Sequence, residues 1–228
     1  MSYSSYIAGL DLPFTGSQAF NGLAWTTAAW AFYRGWPGLG MKNKVEAKAG
    51  KAVHMPPGRR GELITALHGI PLLLPGATFL ISLPLNNFET PDWLSQFALP
   101  PVSPDVYCGT RVGASLGILV SGMLVGAAFK HLGAQWNYIG VRERPELINT
   151  GPYRYVRHPM YSAAMLMGAS SVGAFWNWMP LPALGLMALA FGIKMPMEEG
   201  LILSHPTLGP KYKEFKKQVL WRVIPYIW

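Results

Sequence analysis

The chain has 228 residues, half of them apolar and only 13% charged, and 19 Lys and Arg against 11 Asp and Glu give a formal net charge of +8. A soluble domain normally carries about a quarter charged residues, so this composition points to an integral membrane protein. The single Cys108 excludes an internal disulfide and a cysteine-rich metal site, and the basic residues lie beside apolar segments instead of on a separate basic domain, which favours anionic lipid headgroups over nucleic acid as partners.

The stretch up to Gly16 has no basic residue, carries Asp11 and lacks the basic and apolar regions of a cleavable signal. The first expected span, Ser17 to Tyr33, would itself direct insertion, although Gln18, Asn21 and three alcohols dilute it. Residues 35–62 hold Lys42, Lys44, Lys48, Lys51, Arg59 and Arg60, and within them 41–61 read as a mobile Lys/Gly/Pro-rich loop. A second span runs from Leu63 to Leu85. Its His68, near Pro71 and Pro75, reads as a packed, hydrogen-bonded histidine, with cavity lining as the functional alternative.

Residues 86–108 carry Glu89, Asp92 and Asp105 with no opposing base, and a third span follows from Gly109 to Phe129. Gly113 to Gly117 and Gly122 to Gly126 are small-xxx-small patterns that let helices approach closely, by default within one molecule. Arg34 and Arg111 are expected at span ends, where long side chains snorkel.

From Pro159 to Ile193 there are 35 residues without a charged side chain or histidine, about 53 Å as one helix against a hydrocarbon core of about 30 Å. Trp176-Asn177-Trp178-Met179-Pro180 in the middle supplies a turn, so two short helices are expected to fold as a hairpin. The polar clusters at its two ends then meet on one side of the bilayer. Lys and Arg concentrate in residues 35–62, in 130–158 and in the tail from 194, which the positive-inside tendency assigns to the cytoplasm. Five spans with an outward N-terminus produce this alternation. The expected fold is therefore all-α and polytopic, with five transmembrane helices, a C-terminal helical hairpin and cytosolic catalytic segments. Residues 1–130 supply the N-terminal spans and basic loop, and 131–228 the core.

Gly151 to Tyr161 crowds Arg154, Arg157, His158, Tyr153, Tyr155 and Tyr161 against the start of the hairpin. Pro159 suits the first helical position, and the free amides and dipole at that helix start, with Arg154 and Arg157, would favour a carboxylate or phosphate. The tyrosine faces suit an adenine or a sulfonium. Glu198 and Glu199, brought back by the hairpin, can meet an ammonium or sulfonium group. The segment from Gly209 to Phe215 reads as an interfacial amphipathic lid.

Gly-Pro-Tyr-Arg-x-Val-Arg-His-Pro-x-Tyr, an uncharged hairpin, the Glu-Glu pair and a Gly-x-x-Tyr segment together resemble the isoprenylcysteine carboxyl methyltransferase family over roughly residues 131–228. The related phospholipid methyltransferases share much of the pattern. The resemblance implies methyl transfer from S-adenosylmethionine to the C-terminal carboxylate of a prenylated cysteine in CaaX-processed proteins, in the endoplasmic reticulum membrane with the site facing the cytosol. It puts cofactor contacts at Leu147, Ile148, Tyr153, His158, Tyr161 and Glu198, with Glu199 beside them. Arg157 would support the turn or the cofactor carboxylate, with Arg154 nearby, and Lys194 would hold the substrate carboxylate. Two departures stand out: Lys194 occupies a position where the family usually has arginine, and Pro145-Glu146 replaces a histidine common just before Leu147. Methylation of a phospholipid amine, or non-catalytic binding of lipids, are the alternative functions.

Overall fold

The polar residues that dilute the first span turn out to anchor it. Helix α1 (Gly16–Gly35) starts at Thr15, whose hydroxyl accepts from the Gln18 amide at 3.1 Å while Gln18 Oε1 accepts from the Thr15 amide at 2.7 Å, a reciprocal cap. Asn21 is fully buried and donates to Phe88 O at 2.7 Å. The structure, a computed structural model, describes residues 5–7, 10–36 and 40–228. Ahead of α1 the strands β1 (Ser5–Ile7) and β2 (Leu10–Leu12) form a small antiparallel ribbon.

After α1 come α2 (Met41–Ala49), β3 (Ala52–His54), α3 (Arg60–Leu85), the short α4 (Asp92–Ser95) and α5 (Pro104–Leu132). Then follow β4 (Val141–Arg142), α6 (Pro159–Ala174), α7 (Pro180–Ser204) and α8 (Leu208–Gln218). Helices α1, α3, α5, α6 and α7 fall where the five spans were expected. Among the described residues, Arg60–Leu85, Pro104–Gln135 and Pro180–Ser204 are long and apolar enough to cross a membrane. Helix α6, with 16 residues, reaches only about 24 Å.

The small-xxx-small patterns are used inside the molecule. A Cβ on Gly122 would stand 2.8 Å from Ala31 Cα, and one on Gly126 or Gly117 would collide with Arg34 or Ser170. Glycine at these places lets α5 approach α1 and α6 closely. Proline shapes α3 in a similar way. Pro84 has no amide to give Leu80 O, and Trp25 Nε1 donates to that carbonyl instead, at 2.9 Å. An outer core of Ala24, Ala28, Phe79, Leu83, Ile118 and Phe175 forms around this junction. An inner core of Ala164, Met187, Phe191, Met195 and Val223 lies nearer the polar cluster.

Three sequence expectations are corrected. Arg111 does not snorkel: it is 2% exposed, donating to Ala174 O at 3.0 Å, Tyr107 Oη at 2.7 Å and Asn21 Oδ1 at 2.6 Å, so α1, α5 and the end of α6 meet on one guanidinium. The basic loop is structured. Helix α2 buries Val45 and Ala49, Arg144 donates to the carbonyls of Ala47 and Lys48 at the end of that helix, and Arg142 donates to Gly50 O at 2.7 Å and to Trp136 O. β3 pairs with β4, with Ala52 opposite Arg142 and a bulge before His54. The hairpin forms at Trp176 and Asn177, and Asn177 is fixed by donating to Leu94 O at 2.9 Å. Its second arm, however, is not short: α7 continues through Pro196 for 25 residues, so Lys194, Glu198 and Glu199 sit on a helix that is itself long and apolar enough to cross a membrane.

Candidate active site

Glu198 and Glu199 are chain neighbours with opposite surroundings. Glu199 is buried among three cations and a histidine: Arg157 Nε at 2.9 Å, Lys216 Nζ at 3.1 Å, Arg222 Nε at 3.3 Å and His158 Nε2 at 3.3 Å. Such a carboxylate is fully engaged by its own protein. Glu198 accepts one hydrogen bond, from Tyr161 Oη at 2.7 Å, and has looser neighbours in His158 Nδ1 at 3.6 Å and Lys194 Nζ at 3.8 Å. Its remaining acceptor capacity is open to a ligand.

The turn that carries the arginines and tyrosines has a local cause. Gly151 sits at a φ of +57°, and a Cβ there would run into the His131 ring, so glycine is required. The following 3-10 turn buries Tyr153, and Pro159 opens α6. Free amides at this helix start were expected to bind an anion, but the structure spends them otherwise. The Arg157 amide donates to Trp221 O at 2.9 Å and the His158 amide to Arg222 O at 2.8 Å; Pro159 has none, Tyr161 N turns back to His158 O, and of the first turn Met160 N alone has no partner among the described residues. Residues 219–228 thus form a strap across the mouth of α6, with Ser162 Oγ donating to Val223 O at 2.6 Å.

The arginines follow suit. Arg157, besides gripping Glu199, donates to Val219 O and Leu220 O, so it supports the turn and the strap. Arg154 is exposed and makes no side-chain hydrogen bond or ion pair among the described residues. Lys194, expected to hold the substrate carboxylate, does reach the centre: it is 2% exposed, with its ammonium 5.7 Å from the Tyr161 ring centroid.

Flat rings line the interior beside Glu198. His158 stacks on Tyr161 with centroids 5.3 Å apart, Tyr161 stacks on Phe191 at 4.2 Å, and His68 tilts against Phe191 at 5.5 Å and Tyr161 at 6.3 Å. Burial, reinforced by the Glu198 charge, pushes the Tyr153 phenol well above the ordinary tyrosine range, so it remains a hydrogen-bond donor at neutral pH. Leu147 and Ile202 pack against the buried cluster of Tyr212, Phe215 and Val219, with Ile148 half-buried next to Leu147 in the chain. The apolar stripe of α8 is therefore turned onto the protein, and the expected interfacial lid is a wall of the site.

Below the rings an apolar groove runs between α3, α6 and α7, lined by Pro71, Leu72, Gly76, Met167, Leu184 and Met187. On α7, Leu184, Met187, Phe191, Lys194 and Glu198 recur at helical spacing along one face, so one surface passes from groove to rings to charges. Lys216, Arg222 and Phe191 were not singled out from the sequence. The two cations belong to a basic tail with nothing to rank its members, and Phe191 is one apolar residue in an apolar run.

Residues 110–204 match the family model described as phospholipid methyltransferase, from early α5 to the end of α7. The sequence resemblance is thus borne out over the part of it that ends at residue 204, as a similarity to membrane methyltransferases. Over 84 residues the chain is also 37% identical to the nickel-cobalt-cadmium resistance protein NccN of Alcaligenes xylosoxydans xylosoxydans, covering 36% of this chain and 38% of that protein. The chain therefore spans under two fifths of the length of that curated relative.

Proposed function

We propose that the protein transfers a methyl group from S-adenosylmethionine to the headgroup of a lipid-tailed acceptor presented from the bilayer. The observation that carries this reading is the single face of α7 on which the apolar groove, the ring layer and the half-satisfied Glu198 follow one another.

The residues present fit the cofactor's chemistry. When bound, S-adenosylmethionine supplies a methyl group on a positively charged sulfur, together with an amino-acid end and an adenosine. Glu198 would take an ammonium or hydroxyl, Tyr153, Tyr161 and His158 offer ring faces and donors, and Leu147 with Ile148 would flank the apolar part. Glu199 would act indirectly, by holding Arg157, His158 and the strap in register. The buried surroundings exclude water from the transfer, and alignment of acceptor and methyl group can supply on the order of 7 to 11 kcal/mol in favourable cases.

Two acceptors have specific support. Lys194, buried beside Tyr161 and Glu198, suits a carboxylate such as that of a prenylated cysteine, our first choice. A C-terminal carboxyl ionises at about 3.3 to 3.7 and attacks without a general base. The family description favours the second, a phospholipid amine, which must first lose a proton. The distribution of basic residues supports a site on the cytoplasmic side. The endoplasmic reticulum goes with the prenylcysteine reading. Among the described residues no three His, Cys, Asp or Glu side chains group as a metal site, so the relative's metals form no part of the proposal.

Radiolabelled S-adenosylmethionine given to purified, reconstituted protein with a farnesylated cysteine analogue and, in parallel, phosphatidylethanolamine is the test. Base-labile label on the cysteine analogue supports the carboxylate acceptor and stable label on the lipid the amine. No transfer to either, with no cofactor binding, contradicts the enzyme reading and leaves a lipid-binding membrane protein.

A further inference from the structure

The strap across the mouth of α6 has two sides, and only one of them serves the site. On the inner side Trp221 O and Arg222 O accept the Arg157 and His158 amides, Val223 O accepts the Ser162 hydroxyl, and the Arg222 guanidinium pairs with Glu199. The other side presents Leu220, Tyr226 and Ile227, which are 63%, 86% and 78% exposed, with Trp221 and Tyr226 ring to ring at 5.3 Å. The segment that the strap holds at Arg157 adds Tyr155, 71% exposed, and Arg154, whose guanidinium has no partner among the described residues. Four large side chains and one cation are thus left open on two hydrogen-bonded stretches of chain.

The lengths of α6 and α7 fix the level at which this face lies. The turn between them carries Trp176 and Trp178, interfacial aromatics that mark the outer boundary of the bilayer. From that turn the 16 residues of α6 reach back about 24 Å, and Glu199, on α7 nineteen residues after Pro180, stands about 28 Å away. The hydrocarbon core is about 30 Å thick. Bonded both to the start of α6 and to Glu199, the strap lies where the inner edge of that core meets the headgroups, and it fills the few ångströms by which α6 falls short. We infer that the outer face of the strap is a bilayer-contact surface, with Tyr155, Leu220, Tyr226 and Ile227 entering the headgroup boundary and Arg154 meeting the phosphates of anionic lipids. A tyrosine suits that level because its ring is apolar and its hydroxyl wet, and an arginine can lay its stem along acyl chains while its head stays with phosphate. The surface goes beyond the methyltransferase reading and does not depend on which acceptor is used. It makes the bilayer a backing for Arg157 and His158, since the chain that touches lipid on one side holds those residues on the other.

The test places an environment-sensitive fluorophore on Ile227→Cys, in the full chain with Cys108 replaced by serine, reconstituted in phosphatidylcholine vesicles. The emission should shift to the blue, be quenched strongly by a nitroxide at the headgroup end of an acyl chain and weakly by one at its far end, and be shielded from iodide in the water. Leu220→Cys carries the same label to the other end of the face, and its 63% exposure leaves room for it. In vesicles containing phosphatidylserine, Arg154→Ala should lower the ratio of shielded to iodide-accessible label about fivefold, the effect of one basic residue at an anionic surface. The same variant should change nothing in phosphatidylcholine alone. Iodide quenching at both positions with no effect of the lipid nitroxides overturns the proposal. Shielding from iodide without quenching by either nitroxide overturns it in favour of a protein partner or a second copy on this face. Equal ratios for wild type and Arg154→Ala in phosphatidylserine overturn the role of Arg154.

Discussion

The two ends of the bundle both bury charge, and they do so in different ways. At the outer end Arg111 is satisfied by neutral oxygens of Asn21, Tyr107 and Ala174, and the aromatic faces of Phe20 and Tyr107 complete its surroundings. Each of the three guanidinium nitrogens donates to an oxygen of its own chain, and the result is a clamp. At the inner end two adjacent carboxylates divide the work: Glu199 collects three cationic residues and His158, while Glu198 keeps one hydroxyl and a loose lysine. The saturated charge holds structure and the undersaturated one is free for a ligand, and buried charge alone would not have distinguished them.

The sharpest break in this contrast is Glu199→Ala, which leaves Arg157 and its companions buried without a counterion. Removing one partner of a buried pair typically costs about 3–5 kcal/mol, so the variant should lose most of its stability in a thermal-unfolding assay. Ala183→Phe, which fills the groove, should raise the Michaelis constant for a long-chain acceptor about tenfold or more while cofactor affinity holds, and equal changes in both would disconnect groove from site. Arg111→Met should destabilise by about 1–3 kcal/mol through the acceptors it strands, without altering turnover per folded molecule. Arg154→Ala should be the mildest, within about 0.5 kcal/mol in stability, because its exposed side chain has no partner to lose.

The helices were legible because their apolar runs, turn residues and bracketing charges are local signals. The hairpin at Trp176 and Asn177 and the meeting of His158 with Glu198 followed from run length and the turn residues in its middle. The order in residues 41–61 was not legible, since it depends on Arg142 and Arg144, about ninety residues away, reaching carbonyls that any sequence would offer. Within the site, sequence reading found Glu198, Glu199, Tyr153, Tyr161, His158 and Lys194. It could not divide the labour between the two glutamates, because the cations that saturate Glu199 arrive from α8 and the strap. For the same reason Arg157 looked like a ligand for an anion when its anion is internal.

The most direct measurement is calorimetric binding of S-adenosylmethionine to the purified protein and to Glu198→Gln. The account predicts saturable binding by the wild type and a loss of about 1.5–3 kcal/mol, roughly 10- to 150-fold in affinity, in a variant that still folds. Equal affinity in the two proteins would contradict the assignment of Glu198 as the open carboxylate of the site.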